Sequence, residues 1–145
     1  MKKIGIFKAM KLCKDYEKMS AEKQQEIQKK RLEEIVEYAR KNSPYYRKLY
    51  QNVPQSFSLT DLPQTDKKNL MENWNDWVCD KELTLEEVEK FMEDTDNIGR
   101  KLKKKYLVFT TSGSTGNPLV SIYDNTANNV MGGISARRSY ATNAD

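Results

Sequence analysis

Apolar positions along this chain fall first at helical spacing and later in two short β-branched and aromatic runs. Leu32, Ile35, Val36 and Ala39 form a stripe three and four residues apart, and Ile27 extends it backwards. That period predicts one long helix from Ser20 to Asn42, docked by its stripe on a core. Glu and Lys fill the opposite face in pairs such as Glu26–Lys30. At Ser43-Pro44 the serine can cap and the proline suits a first helical position, so a new helix starts there. Its sticky face is Tyr45, Tyr46, Leu49 and Tyr50, and aromatic density at this spacing reads as core. Pro54 and Pro63 mark a loop over 52–63. Thr65 or Asp66 caps a short helix through Leu70, Met71 and Trp74, with Trp77 and Val78 packing after it. Thr84-Leu85-Glu86-Glu87 has the form of a capping box, and Leu85, Val88, Phe91 and Met92 supply that helix's stripe, which ends before Gly99.

The period then changes. Tyr106-Leu107-Val108-Phe109 and Leu119-Val120-Ser121-Ile122-Tyr123 are rich in β-branched and aromatic residues. They predict strands near 105–111 and 118–123, paired antiparallel, with a long polar tip between them. Asp124, Asn125 or Thr126 can cap a last helix whose apolar face is Ala127, Val130, Met131 and Ile134. Gly132-Gly133 weakens it by about 1 kcal/mol per glycine and is expected to allow close packing on a sheet. The fold class is therefore α/β, or α+β if the chain is a fragment. Residues 1–99 are mainly helical, and 100–145 hold the hairpin and a further helix.

At the N-terminus, Ile4, Ile6, Phe7, Ala9, Met10 and Leu12 are broken up by Lys8 and Lys11, which excludes a signal peptide or a span. A basic amphipathic helix on a membrane is one reading, but a helix packing on the rest of the protein is the one adopted. The chain has 145 residues, room for one domain or part of a larger one. Charged residues make up 32% and hydrophobic ones 37%, a core lean enough to leave apolar faces waiting for neighbours. A net charge of only +4, with acid and base interleaved, argues against a dedicated nucleic-acid binder. The basic run Arg100-Lys101-Leu102-Lys103-Lys104-Lys105 lies at the strand end away from the polar tip and reads as solvated, edge-protecting charge. Cys13 and Cys79 lack paired-ligand spacing, so neither zinc nor a disulfide framework is indicated, and a reducing cytoplasm fits. With no histidine, a Ser-His-Asp triad, a Cys-His pair and a His-Glu-x-x-His site are excluded within these residues.

The chemistry that remains is concentrated in Thr110-Thr111-Ser112-Gly113-Ser114-Thr115-Gly116-Asn117-Pro118. Gly113 and Gly116 can take positive φ or let a ligand approach the backbone. Hydroxyls and backbone N–H groups in such a concave row suit phosphate oxygens. The same residues are ordinary turn formers, and Gly-x-x-Gly also occurs as the backbone clamp of KH domains. The run is not a Walker A loop, since no Gly-Lys-Ser/Thr follows at the required spacing, and it is not a Rossmann fingerprint.

Taken whole, Thr111 to Pro118 resembles the phosphate-binding loop of the adenylate-forming (AMP-binding) superfamily. Asn42-Ser43-Pro44-Tyr45-Tyr46-Arg47 and Leu62-Pro63-Gln64-Thr65-Asp66-Lys67 resemble segments of its phenylacetate–coenzyme A ligase branch, in the same order before the loop. Leu119 stands where many members have lysine, which bears on substrate class more than on fold. The resemblance covers most of the chain after about residue 20 but only the opening part of the family's fold, so 1–145 corresponds to a partial N-terminal domain.

The resemblance implies a ligase that joins ATP and a carboxylic acid into an acyl-adenylate, releasing pyrophosphate. The acyl group then passes to coenzyme A or another acceptor. Thr111, at the loop's start, and Ser112, Gly113, Ser114, Thr115 and Gly116 would hold the β- and γ-phosphates. Magnesium would be required, but its glutamate ligand, the adenine pocket, the ribose-binding aspartate and the mobile lysine are expected beyond Asp145, so no catalytic or metal residue is assigned. Some members of the branch are associated with surface (capsular) polysaccharide synthesis. Residues 1–145 alone are expected to be inactive and to self-associate through open strand edges and the apolar face of Val120 and Ile122. The rival is a mostly helical, non-catalytic interaction module, or a truncated remnant, whose glycine-rich loop is only a turn.

Overall fold

The computed structural model describes residues 3–111 and 118–142. Among these the chain is mostly helical. Seven α-helices run Ile6–Glu17 (α1), Ala21–Asn42 (α2), Pro44–Leu49 (α3), Lys67–Glu72 (α4), Trp74–Trp77 (α5), Leu85–Glu93 (α6) and Asn125–Thr142 (α7). Leu107–Thr110 (β1) and Val120–Tyr123 (β2) form one two-stranded antiparallel sheet, and short 3₁₀ turns lie at Leu59–Asp61 and Thr95–Asn97.

Local chemistry sets most boundaries. Ser20 caps α2 by accepting from the Lys23 N–H, and Ser43 caps α3 with Pro44 in its first turn. Asp66 rather than Thr65 caps α4, its carboxylate accepting from the Asn69 N–H at 2.8 Å. Asn73 leaves helical geometry, so Trp74 begins a separate short helix instead of ending α4. Thr84 accepts from the Glu87 N–H, but Glu87 does not serve as the expected return arm of a capping box: its carboxylate meets Lys103 Nζ at 3.0 Å. Of the three residues able to cap α7, Asp124 does so, accepting from the Ala127 N–H at 2.7 Å.

The core that positions the hairpin is Trp74, Leu83, Val88, Leu102, Tyr106 and Val120, with Phe91, Val108 and Ile122 packed against it. Trp74 donates its indole N–H to the Leu83 carbonyl at 2.9 Å, which satisfies the one polar atom that the ring buries. Ser43, fully buried, donates to the Asp76 carbonyl at 2.9 Å and so ties the α2–α3 corner to α5.

Several expectations are corrected. Val36 is the one fully buried residue of the long helix; Ile27, Leu32 and Ala39 of its stripe are half-buried and Ile35 is 64% exposed, because the principal core forms around α5, α6 and the hairpin. The face carrying Val120 and Ile122 is covered by that core rather than left seeking partners. Gly132 and Gly133 approach α1, not a sheet: a β-carbon at Gly133 would stand 2.5 Å from that of Ala9, and one at Gly132 would stand 3.2 Å from Ile6. The absence of side chains there is what lets α7 lie against α1. That packing leaves Met131 and Ile134, expected on the buried face of α7, about half exposed.

Candidate functional site

The hairpin pairs Leu107 with Tyr123, Val108 with Ile122, Phe109 with Ser121 and Thr110 with Val120. Successive side chains alternate between faces. Val108, Val120 and Ile122 turn to the core, while Phe109 and Tyr123 meet edge to face on the other side with ring centres 5.3 Å apart. The polar run leaves this ladder at Thr111. The Thr111 N–H donates to the Leu119 carbonyl at 3.1 Å. In an ordinary ladder the Leu119 N–H would answer to the Thr111 carbonyl; here it donates to the Thr111 hydroxyl at 2.9 Å. The side chain thus ends the strand pairing and closes the neck of the loop.

Of the residues assigned to phosphate binding, Thr111 is placed at the neck as a clasp. Its hydroxyl oxygen is engaged by Leu119, and its proton is the donor that remains. Ser112, Gly113, Ser114, Thr115 and Gly116 lie outside the described residues. Beside the neck is an open pocket of about 270 Å³, walled by Phe109, Thr111, Leu119, Ser121 and Tyr123 from the hairpin and by Met131 from α7.

The opposite end of the hairpin is fastened by the basic run. Leu102 and Tyr106 exchange backbone hydrogen bonds at 2.9 Å around a tight turn in which Lys103 and Lys104 have φ of 50° and 56°. Lys101 donates to Asn125 Oδ1 at 2.6 Å, Lys103 to the Glu82 carbonyl at 2.7 Å, and Lys105 to Asp80 at 3.1 Å. These lysines are therefore structural tethers at the end of the hairpin opposite the Thr111–Leu119 neck, more specific than solvated charge. Tyr106 donates its hydroxyl to Asp80, and this bond is the largest cause that holds the Asp80 carboxyl below its usual range. Burial, then Asp80, pushes the Tyr106 hydroxyl up. Lys105, stacked over the Tyr106 ring at 4.4 Å, is held charged to higher pH than usual by Tyr106 first and Asp80 second. Nothing in the sequence pairs residues 80 and 106, and the network was not anticipated. Thr111, at the last position of the strand expected near 105–111, was the one available signal for the clasp.

Among the described residues no group of three or more Cys, Asp or Glu side chains gathers as a metal site. No described helix is long and apolar enough to cross a membrane. Cys13 and Cys79 are free and partly buried, and burial pushes the Cys79 thiol up. What the hairpin offers chemically is a fixed two-stranded base on either side of the hydroxyl- and glycine-rich sequence 112–117. No protein-family model matches the chain, and no curated protein matches it significantly.

Proposed function

We propose that this chain is the N-terminal part of an adenylate-forming ligase of the phenylacetate–coenzyme A ligase type, and that its hairpin loop binds the phosphates of ATP. The enzyme would join ATP and a carboxylic acid as acyl-adenylate and pyrophosphate, then pass the acyl group to coenzyme A or another acceptor in the cytoplasm. The observation that carries this is the run from Thr111 to Pro118 set between two antiparallel strands. A Walker-type loop opens into a helix, whereas here strand β2 follows from Val120. The clasped neck adds further support, since stabilising the charge that develops on leaving pyrophosphate calls for donors held in place beforehand. Among the described residues no carboxylate cluster gathers to hold magnesium, so the support comes from the loop, its neck and the two upstream segments.

The test is pyrophosphate exchange by the full-length protein with ATP, magnesium and a panel of aryl and alkyl acids. Thr115→Ala should slow the exchange by about 10²–10³-fold, the loss expected for one donor to a developing anion. Equal rates in variant and parent would leave the hydroxyl a mere turn former. Absence of exchange in the parent would favour a helical interaction module.

A further inference from the structure

The inner face of α1 packs on α7 through Ala9, which meets Gly133, and Glu17 of its last turn pairs with Arg137. Its outer face has no such neighbours. Phe7, Lys11, Lys14 and Lys18 follow one another at intervals of four, three and four residues, which places them on one line along the helix. All four are exposed, and Phe7, at 83%, shares the highest exposure among the large hydrophobic residues with Ile98. Lys8 lies on one flank and Lys3 just ahead of the helix, both exposed. Asp15 is the acidic residue at the stripe's edge, and Glu17 on the far flank is taken up by Arg137. Among the described residues none of these lysines forms an ion pair or a side-chain hydrogen bond, in contrast to Lys101, Lys103 and Lys105.

We propose that this outer face of α1 docks the protein on an anionic lipid surface, with Phe7 entering the headgroup region and the lysine stripe lying along it. Charge complementarity selects the partner's sign. A bare phenyl ring exposed at the tip gains from an apolar boundary, and a convex helix face offers no groove for a peptide. The stripe holds lysine only. A point charge on a flexible stem suits a diffuse surface potential, while the planar fork of arginine is the usual choice for individual phosphates of nucleic acid. Each lysine near an anionic leaflet adds to the attraction, which fades beyond a Debye length.

The full-length protein would be sedimented with phosphatidylcholine vesicles, with and without phosphatidylserine. Binding should require phosphatidylserine and should vanish near 1 M salt, where the Debye length is about 3 Å. Substituting Lys11→Gln, Lys14→Gln and Lys18→Gln together should weaken it at least about tenfold, with an unchanged circular dichroism spectrum because all three side chains are exposed. In a separate variant that keeps every lysine, Phe7→Trp should add a fluorescence signal that shifts to the blue on the anionic vesicles, beyond any change in the parent with its Trp74 and Trp77. Equal binding to both vesicle types, an unaffected triple variant, no added blue shift in the Phe7→Trp variant, or tighter retention by an RNA or DNA oligonucleotide at the same salt would each overturn the proposal.

Discussion

Thr111 and Leu119 exchange two hydrogen bonds across the neck of the loop, one of them through the threonine hydroxyl. Thr111→Val keeps the shape and removes the acceptor, so the Leu119 N–H loses its partner. We expect a loss of about 0.5–1.5 kcal/mol, the net worth of such a bond. Faster hydrogen exchange at the Leu119 amide should accompany it. Thr111→Ser should behave as the parent; if it exchanges as fast as Thr111→Val, the hydroxyl by itself does not close the neck.

Gly133→Ala should destabilise the fold. Its new methyl would fall 2.5 Å from the Ala9 β-carbon and 3.0 Å from the Met10 nitrogen, both on α1. Overpacking of this kind costs about 1–3 kcal/mol. Ala9→Gly in the same chain should recover part of the loss, as read from urea unfolding midpoints. No recovery would show that the strain lies in the α1 backbone.

Lys104→Gly should stabilise. Lys104 has φ of 56°, a left-handed conformation that costs a side chain about 1–2 kcal/mol. Against this stands the extra freedom of glycine in the unfolded chain, about 0.5–1 kcal/mol. A net gain of up to about 1.5 kcal/mol should appear as a higher thermal midpoint. Lys103→Gly should not match it, because Lys103 also holds the Glu82 carbonyl and the Glu87 carboxylate.

Stability should fall off at both ends of the pH scale through the Tyr106–Asp80–Lys105 network. Asp80 has its folded pKa depressed, so its contribution is present above the unfolded value near 3.8 and is lost as pH falls through the folded one. Tyr106 has its folded pKa raised, so its contribution is present below the unfolded value near 10 and is lost as pH rises through the folded one. Asp80→Asn should flatten the acid limb in unfolding titrations. An unchanged limb would place the acid sensitivity elsewhere.

What could be read from the sequence was local. Ser20, Ser43, Asp66, Thr84 and Asp124 announce helix starts by their own side chains, and each cap forms within three residues of chain. The hairpin was legible because both strands are rich in β-branched and aromatic residues around turn chemistry. What stayed hidden depends on distant partners. Ile35 has the same spacing as Val36 and differs only in what faces it. Gly133 signals a weak helix by propensity, yet its use is set by Ala9, far away in the chain. Asp80 and Tyr106 stand 26 residues apart, with no periodicity to link them. The candidate loop was legible as chemistry, but the clasp beneath it depends on which atom of Thr111 answers Leu119, a matter of geometry alone.

The union of α1 with α7 also bears on how the chain is made. Asn129 donates to the Ile4 carbonyl and Arg137 to Glu17, across separations of 125 and 120 residues. At synthesis rates of about 5–20 residues per second, α1 leaves the ribosome about 6–24 s before the segment that will receive it. Throughout that interval the side of α1 with Ala9 is uncovered, while the helices around Trp74 can already assemble. Of the described helices, α1 is translated ahead of the others yet is seated only once α7 has emerged, and a nascent chain halted before residue 125 has nowhere to put it.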